Sequence, residues 1–255
     1  MNETYTVEGG YVTNIGYNTV DKLPGLNFAS PTVAFVSDNT LFGVVGPIMG
    51  RRMRFSAAPA LGNVHWVDYL VDYRRYDPII FNTLTLATRL YGDFTVGHDE
   101  NLFPKYVGTP DFVRGYDRSS LYSGYSCDAI LGAPNTAGSA CATAQLVGTR
   151  VSVLNEELRF PIIRRFDFGT LPIGLPPVDG LVFYDAGIAW NAGQKLSLTR
   201  PDNYDYTLQR YVMRSWGFGL RVNLFNLAVL RWDYAKPLDR DNSKFNWTFS
   251  LGPNF

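Results

Sequence analysis

Strict alternation of apolar and polar residues is the feature that most limits how this chain can fold. At its end, Phe245, Trp247, Phe249, Leu251 and Phe255 fall on one face. Asn246, Thr248, Ser250, Gly252 and Asn254 fall on the other. Residues 215–224 repeat the pattern, with Trp216, Phe218, Leu220, Val222 and Leu224 against Ser215, Gly217, Gly219, Arg221 and Asn223. In 66–74, Val67, Tyr69, Val71 and Tyr73 oppose Trp66, Asp68, Leu70, Asp72 and Arg74. A period of two is the period of a β-strand, and no comparable helical period is present. Strands are expected near 4–13, 30–38, 51–59, 64–75, 82–96, 147–160, 180–190, 213–224, 227–237 and 245–255. Most are about nine to eleven residues long, the length of a tilted strand that crosses a bilayer.

One apolar and one polar face also describes a half-solvated soluble sheet, so a soluble β-sandwich or barrel stays open as a third reading. Here the apolar faces are large and aromatic in strand after strand, and the polar faces mix small residues with charges. Both suit a lipid-facing wall around a hydrated lumen. Charged residues make up 18% of the 255 and aromatics 15%, against about 25% charged in an average soluble domain. No uncharged apolar run approaches the ~18 residues of a spanning helix. The mean hydropathy of −0.08 fits a barrel, whose alternation averages out, and fits a soluble β protein equally well. The expected fold is all-β: an antiparallel transmembrane β-barrel with about ten strands over residues 1–255, within which no second domain is read. A barrel in the outer membrane must first cross the inner one. Met1 is followed by NETYTVEGG, with no basic and then apolar leader, so upstream strands and a signal peptide are expected to lie outside this sequence.

With the C-terminus on the periplasmic side, the two longest connections, 98–146 and 191–212, face outward, where barrels keep long loops. Asn223 to Asn226 makes a tight inner turn, whereas 161–179 is long for one. Glu156 points to lipid if Glu157 points to the lumen; a β-bulge or an interfacial position would each accommodate it. Cys127 and Cys141 share the first long loop. A disulfide in an oxidising compartment is the reading, worth roughly 3 kcal/mol for a loop of this size; the alternative, metal binding, lacks His or further Cys nearby. His65 and His98 are the only histidines, and neither lies near a nucleophile motif such as G-x-S-x-G. Outer-membrane phospholipases show that a barrel does not by itself exclude catalysis, but His65 reads as a rim residue and Asp68 and Asp72 as lumen carboxylates. No enzymatic activity, cofactor or metal is expected. The net charge of +0 gives no electrostatic case for nucleic acid.

Four segments resemble the bacterial surface antigen superfamily, the barrel of Bam-type outer-membrane insertases, translocation-assembly modules and two-partner secretion transporters. Val113-Arg114-Gly115-Tyr116 resembles that family's loop tip. Residues 155–161, NEELRFP, resemble the strand after the loop. Residues 182–190, VFYDAGIAW, are similar to its F-x-D-x-G-x-x-W strand. Residues 217–221, GFGLR, followed by 230–237, LRWDYAKP, and terminal Phe255 complete the set. Asp38-Asn39-Thr40 with Gly50-Arg51 extends the resemblance toward the N-terminus. Family barrels have sixteen strands, and the resemblance covers the last ten. The chain then reads as the C-terminal part of such a barrel or as a shortened one.

The resemblance implies that the long loop folds back into the lumen. There the Arg114 guanidinium would pair with Glu157 and Asp185, and Gly115 would give the tight turn beside it. In a wet lumen, loss of this pairing is expected to cost about 1–2 kcal/mol. It also implies residence in the bacterial outer membrane, contact with its lipids, and insertion or translocation of unfolded client proteins with periplasmic assembly factors. Trp247, Phe249 and Phe255 would form the terminal strand signal, and Gly252-Pro253 would weaken the seam, because Pro cannot donate to a ladder. The alternative is an anchor or export pore for a domain upstream, with no insertase role.

Overall fold

The computed structural model describes residues 2–8, 11–18, 25–81, 83–116, 144–164, 166–167, 174–201, 204–205, 207–224, 227–240 and 243–252. Nine long strands form one antiparallel meander in chain order. They are β1 (Val33–Asp38), β2 (Pro47–Gly62), β3 (His65–Ile80), β4 (Leu84–Gly97), β5 (Arg150–Ile163), β6 (Val178–Trp190), β7 (Met213–Leu224), β8 (Ala228–Pro237) and β9 (Asn246–Gly252). Two short pieces, Phe28–Ala29 and Leu41–Phe42, add to β2. Among the described residues β1 and β9 are not paired with each other.

Alternation carries directly into this sheet. Trp216, Phe218, Trp232, Trp247 and Phe249 are 41–66% exposed, while Ser215, Arg221, Arg231 and Asp233 on the opposite face are buried. Tyr234 shares the outward face and ties its strands together by cross-strand ring contacts, 5.3 Å from Phe218 and 4.1 Å from Trp247. Such pairs stabilise a sheet by roughly 0.2–1 kcal/mol each. Among the described residues no helix covers the outward rings, and none is long and apolar enough to cross a membrane.

Three expectations change. The single strand over 4–13 is instead two, Asn2–Glu8 and Tyr11–Asn18, paired as a separate antiparallel hairpin. The connection 161–179 is shorter than it looks: β5 runs to Ile163, β6 starts at Val178, and Phe166–Asp167 pairs with Gly174–Leu175 to extend the hairpin. No bulge occurs at Glu156. The β5–β6 register is continuous from Arg150 to Pro161, so Glu156 stays outward in mid-strand, where its carboxylate accepts a hydrogen bond of 2.8 Å from Thr88 Oγ1.

A candidate latch between the long loop and the wall

The first long loop turns back into the sheet's concave side. Past β4 a single turn at Glu100–Leu102 leads into Lys105–Tyr106, which pairs with Val147–Gly148 just before β5. Val107 N donates to Leu146 O at 2.9 Å, closing the neck. The segment beyond it is held by an apolar cluster. Val107, Val113 and Tyr116 from the loop pack with Val151, Val153, Ala189 and Met213, inward residues near the outer ends of β5, β6 and β7. Polar side chains then tie the loop to the wall. Arg89 Nη1 donates to Asp111 O at 3.0 Å, Asn155 Nδ2 to Phe112 O at 2.6 Å, and Tyr116 Oη to Arg214 O at 3.0 Å. Arg231 contacts the Asp111 carboxylate.

Arg114 sits at the centre of this arrangement. Its Nε and Nη2 donate to the two oxygens of Asp185 at 2.7 and 2.6 Å, and its backbone N–H reaches Asp185 Oδ2 at 3.1 Å. Nη1 donates to Glu157 Oε1 at 2.6 Å and lies 3.6 Å from Asp233 Oδ1. The guanidinium carbon lies 3.5 Å from the centroid of the Phe183 ring. Fork geometry suits Arg to this two-oxygen contact, and a flat cation stacks on an aromatic face in a way that an ammonium cannot reproduce. Burial disfavours the Arg114 charge, but the carboxylates of Asp185 and Glu157 more than reverse that and raise its pKa above the ordinary arginine value.

Around this pairing the charges balance. Arg159 donates to Glu157 Oε2 through Nε at 2.8 Å, Arg221 Nη1 lies 2.8 Å from Asp233 Oδ1, and Asn155 Nδ2 donates to Asp185 Oδ1 at 2.8 Å. Three arginines thus face three carboxylates. Two glycines make the fit possible. Gly115 has φ +83°, a left-handed conformation that a side chain would strain. A Cβ on Gly187 would lie 2.4 Å from Val113 Cγ2, so the glycine of the F-x-D-x-G pattern leaves room for the loop tip.

The sequence-derived residues divide as follows. Val113, Arg114, Gly115 and Tyr116 converge with Glu157 and Asp185. Trp247 and Phe249 lie apart, on the outward face of β9. Cys127, Cys141 and Phe255 lie outside the described residues. The wet lumen expected around Arg114 is not found: the side chains of Arg114, Glu157, Asp185 and Asp233 are each 1% exposed or less. The loop and the inward side chains fill that space. Sequence reasoning missed Asp233, Arg159 and Arg221 as members of the cluster. Their inward parity was readable, but not their convergence on one point. Among the described residues, no group of His, Cys, Asp and Glu could hold a metal ion.

Comparison with known proteins adds to this geometry. A family model described as the Omp85 superfamily domain matches residues 36–255. The crystal structure of BamA from Haemophilus ducreyi lacking POTRA domains 1–3 is similar in fold, with a TM-score of 0.56 and 19% sequence identity, over 86% of this chain and 42% of that one. The chain therefore spans less than half the length of that structure. No curated protein matches.

Proposed function

The chain belongs to the Omp85 superfamily and resides in the bacterial outer membrane, and from that premise we propose that it inserts client proteins into this membrane at an open edge of its sheet. The observation that carries this reading is the terminal strand β9, which among the described residues pairs only with β8. An unpaired strand edge is a row of N–H and C=O groups, a template on which another strand can form. The wall beside the β9 edge is built for lipid, with Trp247, Phe249 and Leu251 each at least 60% exposed. A client strand pairing there would enter the bilayer with its backbone already satisfied, which hydrocarbon requires.

The loop latch favours insertion at the wall over passage through the lumen. A pore needs a hydrated path. Here the path is occupied by a buried, charge-balanced cluster that ties the loop to β5, β6 and β8. Its role in this reading is mechanical: it holds β5 to β8 rigid while β9 stays available for pairing. Unfolded outer-membrane clients and periplasmic assembly factors are the partners this activity needs.

The test uses the full-length protein in liposomes with a urea-unfolded outer-membrane barrel as client. Acquisition of the client's heat-resistant, fast-migrating form on gels should be faster than in empty liposomes. A photo-crosslinking residue at Phe249 should capture the client, and one at Leu158, on the outward face of β5, should not. No acceleration, or equal capture at both positions, would remove insertion at the edge and leave the anchor reading.

A further inference from the structure

At the end of the barrel opposite the long loops, the connection between β1 and β2 does not simply turn. The main ladder stops at Asp38 and Arg52. There Asn39 N donates to Arg51 O at 3.0 Å, and Arg51 N donates back to Asn39 Oδ1 at 2.8 Å. The next residue, Gly50, has φ +102°, and a Cβ there would lie 2.4 Å from Asn39 O. The chain bends at this point. A second, shorter ladder follows, with Leu41 opposite Met49 and Phe42 opposite Pro47 in a shifted register. Its tip is closed by a 2.8 Å bond from Gly43 N to Gly46 O.

This bent tip crosses the mouth of the lumen. Asn223, at the end of β7, donates through Nδ2 to Val44 O at 2.5 Å. Val45 is 7% exposed, and Thr85 Oγ1 on β4 lies 3.5 Å from Ile48 O. Between the tip and Thr85, Arg159, Leu181 and Arg221 remains a cavity of only about 40 Å³, room for one or two waters. The other side of the tip, Phe42 to Val45, shares a hollow with Leu227, Val229, Leu251 and Gly252. Residues of the β1–β2 connection thus meet the ends of β7, β8 and β9 without any ladder between them.

We propose that residues 41–49 form a hinged lid. The hinge is the Asn39–Gly50 pair, and the catch is the Asn223 amide on Val44 O. Closed, the lid caps the lumen over Arg159 and Arg221 and bridges the two sheet edges at this end only. Open, it exposes the arginines to the compartment on that side, which the position of the long loops assigns to the periplasm. Side-chain and turn contacts form a catch that can release locally, whereas a ladder would have to unzip. This inference stands on contacts within the chain and does not depend on insertase activity.

The test reads access, not function. In a background with Cys127→Ser and Cys141→Ser, Thr85→Cys places a thiol behind the lid. A membrane-impermeant maleimide should label it slowly in folded protein in bilayers. Adding Asn223→Ala removes one hydrogen bond, which should favour opening and raise the labelling rate by about threefold to tenfold. As an independent reading, Val44→Cys with Leu227→Cys in the same background should be joined by a short bis-maleimide, in reduced yield once Asn223→Ala is added. Heat-modifiable gel migration confirms folding in every variant. Equal labelling of Thr85→Cys with and without Asn223, or no cross-link in folded protein, would overturn the lid.

Discussion

The inner face of this sheet uses one chemistry in two environments. Toward the C-terminal side, on β5 to β8, Arg114, Arg159 and Arg221 meet Glu157, Asp185 and Asp233 with almost no exposure. Toward the N-terminal side, Arg52 on β2 meets Asp38 on β1 at 3.6 Å with the two side chains 54% and 40% exposed. Asp72 with Arg74 and Arg89 lies between these extremes, its side chain 14% exposed. The residue types are the same, but the Arg52–Asp38 pair is looser, at 3.6 Å against 2.6 Å for Arg114 with Asp185, and no loop covers it. Val107–Tyr116 covers β5 to β8 and excludes water there, while β1 and β2 keep an open inner face. In water an ion pair is worth little, because hydration competes and long side chains must be ordered. Out of water each charge depends on its partner, and stranding one is costly. The same alternation therefore gives a dry, rigid C-terminal side and a wetter, softer N-terminal side.

The largest effect should follow Arg114→Ala. It strands Asp185, Glu157 and the bonds that hold the loop, and burial at this level places the cost at about 3–5 kcal/mol, above the 1–2 kcal/mol that a wet lumen would give. Urea unfolding in detergent or bilayers measures it. Arg114→Lys should recover only part, since one ammonium cannot hold both oxygens of Asp185, reach Glu157 and stack on Phe183. A loss below about 1 kcal/mol for Arg114→Ala would mean that water reaches the cluster and that the two regions do not differ.

Next comes the packing that keeps water out. Gly187→Ala places a methyl against Val113 and should cost about 1–3 kcal/mol by overpacking. Val113→Ala in the same chain should relieve part of that cost, a coupling that a double-mutant cycle detects. If the two changes add, the loop tip does not rest on Gly187.

How far the sequence foretold this comparison depends on the kind of information each part needs. Strand β7 was expected over 213–224 and is found at those residues, because alternation alone defines it. The hairpin at 2–18 was missed because alternation alone does not mark where one strand ends at Glu8 and the next begins at Tyr11. The Arg114 pairing was legible from a motif plus parity, since Glu157 and Asp185 are inward on adjacent strands. Asp233 was not. It also points inward, but Asp185 pairs with Ser215 while Asp233 pairs with Gly219. Only the curvature of the sheet and the landing point of the loop bring it to Arg114. Dryness was not legible either: Val151, Val153 and Ala189 are inward apolar residues in a lumen expected to be polar, and they become meaningful only as the seat of Val113 and Tyr116. Glu156 stayed ambiguous because parity gives a side but cannot show the Thr88 hydroxyl across the ladder.

Asp72→Asn tests the intermediate case. The carboxylate receives Arg74 through Nε at 3.0 Å and Arg89 through Nε at 3.1 Å, and Arg89 in turn holds the loop at Asp111 O. Neutralising it should cost about 1–2 kcal/mol, between the surface and buried limits. Loop protection should fall with it: amide exchange at Asp111 and Phe112 should speed up more than at β7. A loss as large as that of Arg114→Ala would show that burial is not what grades these pairs.

The smallest effect is expected at the soft edge, where it is most informative. Arg52→Ala removes a cation that lies 3.6 Å from Asp38 with more than half of its side chain exposed. Asp38 does not depend on it, because Thr40 supplies a 3.0 Å bond from its backbone N–H and a 2.7 Å bond from Oγ1 to the same carboxylate oxygen. Water replaces the guanidinium, and the loss should stay within about 0.5 kcal/mol. The unfolding midpoint of Arg52→Ala should therefore match that of the parent chain, and its small difference should shrink further in high salt, where exposed pairs are screened. A cost of several kcal/mol would mean that something else covers this face in the membrane and dries it. The N-terminal side would then be as dry as the C-terminal side, and the contrast between the two halves of the sheet would fail.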